Sequence, residues 1–176
     1  AGEVSKHVEV LKHLEAKKYD NLLPSEADMQ YLYICAMRKE GLNHPDNKYL
    51  LGLVEKRPAL FTIYGKAMMS VILARNGNVK LAKEHLESLK QYMVYTDEMG
   101  RYFDTKRASY SWFDYRIPTE VAAIEAIKMV TPEDKKTVSE MQRWLLQSKR
   151  TQSWDTPINA VNAIYAFMQG QTKESL

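Results

Sequence analysis

The feature that most constrains the fold is an internal repeat of about 40 residues, carried by short alanine-rich segments. The segment TEVAAIEAIK at 119–128 matches NAVNAIYAFM at 159–168 with an offset of 40 positions, and GKAMMSVILA at 65–74 is a looser third copy. A period near 40 residues with two helices per unit is typical of stacked helical hairpins. Small residues at core positions let helices approach closely, so these segments predict an inner layer of helices.

The segments between the repeats predict an outer layer, because they are more charged and apolar on one side only, as at 133–149. An all-α fold follows, an α/α toroid or superhelix fragment of about eight helices in inner and outer pairs. A plain helical bundle is the competing interpretation. Ser25 with Asp28, Asn78, and Thr131 followed by Pro132 predict the starts of three helices. The helix after Asn78 is predicted to bury a face that extends to Met93.

Helical periodicity fails over an aromatic loop at 97–117, which is predicted to be an insertion in the single helical domain 1–176. Six of the 18 aromatic residues of the chain stand between positions 102 and 115, in a pattern that fits a short hairpin. One interpretation is a binding surface for sugar or peptide, with Asp104 and Asp114 as a carboxylate pair. The favoured alternative is that the loop packs onto its own domain. The candidate binding residues are Tyr102, Tyr110, Trp112 and Tyr115.

A polar corner follows the helix at 133–149, where Trp154, Asp155 and Thr156 precede a proline. A tryptophan beside a carboxylate and a hydroxyl could form an active site. The favoured interpretation is structural, with Thr156 as a helix cap and the proline at the first helical position. Trp154 would then pack between an outer helix and the next inner helix.

Other signals of chemistry are weak, and no catalytic, cofactor-binding or metal-binding residue is predicted. Cys35 lies mid-helix among apolar residues, which indicates a buried thiol, and the single cysteine allows no internal disulfide. The four histidines form no metal motif and are expected at the surface or at helix ends. Net charge is +3 without a basic run, which argues against nucleic acid as a partner. No apolar stretch approaches the roughly 20 residues that span a membrane.

Residues 97–168 resemble the later part of the thioester-type helical domain in the alpha-2-macroglobulin family, in particular its bacterial cell-envelope members. The resemblance rests on a helix end of the pattern RWLLQSKR, a Trp-Asp-Thr corner and a Thr-Glu start of the preceding inner helix. In this chain the pattern comprises Thr119, Glu120, Arg143, Trp144, Leu145, Gln147, Arg150, Trp154, Asp155 and Thr156. The family fold is an α/α toroid, which agrees with the repeat pattern above.

The resemblance implies a very large periplasmic or extracellular protein that entraps proteases, so the chain is expected to be a piece of a longer protein. Its start at AGEV without a methionine favours the same expectation. Expected partners are other domains of the same long chain and target proteases, with the membrane reached only through an anchor outside this piece. Many members carry a Cys-Gly-Glu-Gln thioester, but Cys35 is followed by Ala-Met-Arg and cannot form one.

The chain is therefore expected to be a non-catalytic, cofactor-free domain with a role in endopeptidase inhibition. Two alternatives remain open. One is a carbohydrate-active α/α-toroid enzyme with a cleft lined by Tyr110, Trp112 and Trp154, which needs two carboxylates roughly 5–10 Å apart. The other is a helical-repeat module with a peptide groove. The positions of Asp104, Asp114 and Asp155 would discriminate between these hypotheses.

Overall fold

The computed structural model describes residues 2–38, 41–56, 61–104 and 116–151. Within these ranges the chain is mostly helical, with seven α-helices and one two-stranded hairpin, as the all-α prediction requires. The predicted eighth helix near 157–168 lies outside the described residues. The elements are α1 (Gly2–Ala16), α2 (Glu26–Ala36), α3 (Pro45–Lys56), α4 (Ile63–Arg75), α5 (Val79–Lys90), β1 (Met93–Thr96), β2 (Gly100–Phe103), α6 (Arg116–Val130) and α7 (Lys135–Thr151).

Helices α4 and α6 form the most heavily packed part of the described structure. The central helix α4 packs against both α2 and α6, which places the three even-numbered helices side by side. Helix α5 packs on α4 and α6, α7 packs on α6, and α3 packs on α1. Ten of the 13 residues of α4 and nine of the 15 residues of α6 are buried, whereas α5 buries four of 12. The alanine-rich segments 65–74 and 119–128 therefore lie in helices that are mostly buried, and α5 is buried on one side.

Local capping explains where several helices begin. Ser25 accepts a hydrogen bond from the backbone N–H of Asp28, whose side chain accepts one from the N–H of Ser25, so the predicted capping box is confirmed. The predicted cap Asn78 accepts from the N–H of Leu81 at 3.2 Å. Thr62 caps α4 in the same way, through the N–H of Gly65 at 3.1 Å. These side chains satisfy backbone donors that the first helical turn leaves unpaired.

Two predicted helix starts are wrong by three or four residues. Helix α7 begins at Lys135, and Asp134 rather than Thr131 caps it by accepting from the N–H of Thr137 at 3.3 Å. The Thr131 hydroxyl instead donates to the carbonyl of Ile127 at 3.2 Å and so bonds to the preceding helix. Helix α6 begins at Arg116 instead of Thr119. Its proline stands in the first turn, where a missing N–H costs no intrahelical hydrogen bond.

A hairpin immediately precedes the segment in which the aromatic pattern predicts one. Strands β1 and β2 are antiparallel and pair Met93 with Phe103 and Thr96 with Gly100. Met93 therefore belongs to a strand, and the prediction that it continues the buried face of α5 is wrong. Strand β2 packs on α7, and Phe103 is 2% exposed. The predicted alternation at 110–115 lies outside the described residues.

Gly100 lets the hairpin approach α7 closely. Its φ is +85°, a conformation that L side chains rarely adopt. A Cβ atom at this position would stand 2.5 Å from the carbonyl oxygen of Glu140 and 3.0 Å from the backbone nitrogen of Trp144. Across the same contact Arg101 Nε donates to the Glu140 carboxylate at 2.9 Å. The backbones of β2 and α7 therefore meet where only glycine fits.

Candidate functional site

The described residues of α2, α4 and α6 line a groove with a cavity volume of about 340 Å³. This volume lies at the lower end of the range seen in small-molecule sites. The side chains that form its walls come from all three of these helices. The lining residues are Gln30, Tyr33, Ile34, Tyr64, Ala67, Met68, Val71, Pro118, Val121, Ala122 and Glu125. Most of these side chains are apolar or aromatic.

One hydrogen bond spans the groove and joins two helices distant in sequence. The Tyr33 hydroxyl, on α2, donates to Glu125 Oε2, on α6, at 3.1 Å. Burial raises the pKa of the Glu125 carboxyl above its ordinary value, while the Tyr33 hydrogen bond and the Lys128 charge act in the opposite direction. Burial has the largest effect, because a carboxylate loses favourable hydration when it leaves water. The groove therefore holds a half-buried carboxyl group that accepts a hydrogen bond from Tyr33 and whose pKa is raised by burial.

Of the four residues predicted to form an aromatic binding surface, Tyr102 is the one that the structure describes. Tyr102 stacks on Trp144 with ring centroids 6.2 Å apart and an interplanar angle of 19°. The Arg116 guanidinium lies 5.6 Å from the centroid of the same Trp144 ring. These contacts place Tyr102 in the packing between β2 and α7 and not in the groove. The positions Tyr110, Trp112 and Tyr115 lie outside the described residues, and their role in binding stays a prediction.

Of the carboxylate pair predicted for a carbohydrate-active enzyme, Asp104 is the member that the structure describes. The backbone N–H of Asp104 donates to the carbonyl of Tyr92 at 2.8 Å and so continues the pairing beyond the hairpin. Asp114 lies outside the described residues, as does the corner formed by Trp154, Asp155 and Thr156. The enzyme hypothesis and the structural role of the corner both stay predictions.

A buried acidic residue stands near the base of the hairpin. Glu120 is 1% exposed, and its Oε2 has no hydrogen-bond partner within the structure described. Burial raises the pKa of this carboxyl well above its usual range, while Arg116 and Arg101 act in the opposite direction. Thr119 beside it is fully buried. The Thr-Glu pair of the family-like pattern therefore belongs to the packed interior, where it contributes to the core.

A second buried polar cluster lies between α4 and α5. Lys66 Nζ donates to Ser88 Oγ at 2.7 Å and stands 5.5 Å from the ring centroid of Tyr92. His85 is 1% exposed, and neither ring nitrogen has a hydrogen-bond partner in the described part of the chain. Burial, and secondarily the Lys66 charge, lowers the pKa of His85 to about 4. The expectation of surface or helix-end histidines is therefore wrong for His85.

Cysteine and metal chemistry gain no site from the residues described. Cys35 is a buried free thiol, as the sequence predicts. Among the described residues, no group of three or more His, Cys, Asp and Glu side chains could hold a metal ion. No helix in the described ranges is long and apolar enough to cross a membrane.

Sequence reasoning missed the groove and His85 for different reasons. Tyr33 and Glu125 are 92 positions apart, and no local pattern announces their contact. His85 carried a usable signal, because with Ala82, Leu86 and Leu89 it completes a helical stripe that is buried in α5. Comparisons with models of known families, with curated proteins and with solved structures found no match.

Proposed function

We propose that this chain is a non-catalytic helical domain of an alpha-2-macroglobulin-like protein, with the inner and outer helices of an α/α toroid or superhelix. The observation that carries the proposal is that α4 packs between α2 and α6, while α5 packs on α4 and α6 and α7 packs on α6. This order of packing is one that stacked helical hairpins produce. The helix end with Arg143, Trp144 and Leu145, which resembles the family pattern, falls on an outer helix.

The role proposed for the domain is architectural, in the entrapment of attacking proteases. Its partners would be the other domains of the same long chain and the target proteases, in the periplasm or at the cell envelope. Trp144 supports such a role, because it is 3% exposed and joins α7 to the hairpin through Tyr102. The family-like tryptophan thus acts as a packing anchor. The proposal needs no thioester within these 176 residues.

The carbohydrate-active alternative needs two carboxylates that face one cleft at a catalytic separation. Among the described residues that line the groove, Glu125 is the single acidic side chain. The observation that favours the second alternative, a binding module, is the groove itself. That alternative is compatible with an architectural domain, since a helical-repeat domain can bind a partner on its inner surface.

The complete open reading frame is the first test of the proposal. We expect it to encode a much longer protein in which this domain follows several others. A reading frame limited to one helical domain would contradict the macroglobulin proposal.

The second test is a protease-trapping assay with the full-length protein. We expect an endopeptidase incubated with it to lose activity toward a large protein substrate and to keep activity toward a short peptide substrate. A trapped protease has an intact active site that large substrates cannot reach. Equal loss of both activities would indicate an ordinary active-site inhibitor, and retention of both would indicate no trapping.

A further inference from the structure

The groove presents one formal charge in a lining that is apolar or aromatic apart from Gln30. Among the described lining residues Glu125 is the charged side chain, and Lys128, outside the lining, also acts on its carboxyl group. Tyr33 and Tyr64 contribute aromatic rings to the same lining, and Met68 and Val71 contribute apolar surface. A carboxylate beside aromatic rings favours a positively charged partner, because ring faces attract cations. Among the described lining residues an anion would meet only neutral hydrogen-bond donors, such as the Gln30 amide.

The electrostatic state of Glu125 points to the same partner. Its carboxyl group gains a hydrogen bond from Tyr33 and a favourable interaction with Lys128, yet burial outweighs both and raises its pKa. The ionised form is therefore less well stabilised in the groove than in water. A cation placed beside the carboxylate would further stabilise its ionised form.

We propose that the groove between α2, α4 and α6 is a binding site for a small organic amine in its protonated form. The ammonium group contacts the Glu125 carboxylate and the tyrosine rings, and the hydrocarbon part packs on Met68 and Val71. A cavity of about 340 Å³ suits a ligand with one such charge and a compact apolar body. This inference rests on the groove alone and is independent of whether the full-length protein traps proteases.

The direct test is isothermal titration of the 176-residue chain with benzylammonium and with benzyl alcohol, its neutral isostere. We expect one saturable site for benzylammonium, with a dissociation constant on the order of a millimolar for so small a probe. Binding of benzyl alcohol should be about tenfold weaker or more, because it lacks the charge-assisted contact. Equal affinity for the two probes would overturn the proposal.

Two matched substitutions locate the site. Glu125→Gln removes the charge and keeps the shape, and we expect it to weaken benzylammonium binding about tenfold. The control is Glu87→Gln, on α5, which removes a carboxylate whose side chain is 74% exposed and outside the groove. That control should leave the affinity unchanged. An equal loss in both variants would show a non-specific effect of net charge and would overturn the assignment.

The backbone amides provide a second readout that does not depend on affinity. We expect benzylammonium to shift the amide resonances of Tyr33, Met68 and Ala122, one from each wall of the groove. Ala122→Phe, which fills the groove, should abolish these shifts while circular dichroism shows that the helices remain. Shifts that map to another surface, or that persist in Ala122→Phe, would refute the proposed location.

A short blocked peptide that carries one lysine tests whether the amine belongs to a free small molecule or to a protein side chain. We expect free benzylammonium to bind more tightly than this peptide, because the cavity accommodates a compact ligand. Tighter binding of the peptide would assign the groove to a lysine side chain of a protein partner and would overturn the small-molecule proposal.

The affinity should also depend on pH. Because the ammonium ion interacts with the ionised carboxyl, binding should strengthen as pH rises through the raised pKa of Glu125. Tyr33 and Lys128 face this carboxyl, and the Tyr33→Phe variant should move the rise to higher pH because it removes a hydrogen bond that stabilises the ionised form. A profile unchanged by Tyr33→Phe would refute the role given to Glu125.

Discussion

The close approach at Gly100 allows a sharp test of how the hairpin sits on α7. In Gly100→Ala the new Cβ atom would stand 2.5 Å from the Glu140 carbonyl oxygen. That atom belongs to the backbone of a helix, so it cannot move aside as the end of a flexible side chain could. The hairpin must therefore shift away from α7 or the helix must distort.

The expected magnitude has two parts. An L residue at the positive φ of +85° costs about 1–2 kcal/mol relative to glycine. Forcing an extra carbon atom into the contact between β2 and α7 costs a further 1–3 kcal/mol or so, as overpacking of well-packed interiors does. We therefore expect Gly100→Ala to lower the free energy of unfolding by about 2–5 kcal/mol.

Gly77 offers a matched control in the same chain. Its φ is +88°, but a Cβ atom there would meet nothing within 4 Å. Gly77→Ala should therefore carry only the conformational cost of about 1–2 kcal/mol. The difference between the two variants isolates the steric contact between the hairpin and α7.

Urea unfolding followed by circular dichroism at 222 nm measures both variants, and equal slopes against urea would validate the comparison. If Gly100→Ala destabilises the protein no more than Gly77→Ala does, the described contact between Gly100 and α7 is wrong.

Three further predictions concern buried side chains. Trp144→Ala should lower the free energy of unfolding in urea by about 3–5 kcal/mol, because it removes a ring that is 3% exposed. The control Val79→Ala, at a 44% exposed position, should change stability by less than about 0.5 kcal/mol. Similar losses in the two variants would contradict the packing role of Trp144. His85 has its pKa lowered to about 4, so the native state binds fewer protons than the unfolded state, and stability should fall by as much as about 3 kcal/mol as pH drops from 6.5 to 4. That part of the slope should disappear in His85→Leu, and a persistent slope would assign it elsewhere. Glu120 has its pKa raised by burial, so its native state retains the proton and its contribution falls as pH rises above 4.5. Glu120→Gln should flatten the stability profile above pH 4.5, and an unchanged profile would refute that assignment.

The sequence predicted helix caps correctly where the two partners are close in the chain, and it failed where the cap depends on a tertiary contact. Ser25 and Asn78 were predicted as caps because the partner N–H stands only three residues away. The prediction that Thr131 caps α7 is wrong because Asp134, which can also cap a helix, follows within one turn. Which of the two residues caps the helix depends on the tertiary contacts of α7. Asp134 also accepts a hydrogen bond from Lys90 at 3.2 Å, a tertiary contact absent from any local pattern.

The extensive burial of α4 and α6 was predictable because burial leaves a mark on composition. Segment 65–74 carries only Lys66 and Ser70 as polar side chains, and it lies in a helix that is mostly buried. The groove was not predictable in the same way, because its key hydrogen bond joins Tyr33 to Glu125 across the two helices that flank α4. Glu125 is one of four charged residues in α6, so its presence there gave only a weak signal.

The central position of α4 has a consequence for how the domain opens. Because α2, α5 and α6 all pack on it, its amide hydrogens can reach solvent only when several helices separate together. Helix α1, which packs mainly on α3 and α2, can detach at a smaller cost in free energy. Amide exchange should therefore be slowest in α4 and faster in α1 and α3, so that the domain opens at its amino-terminal side before its centre.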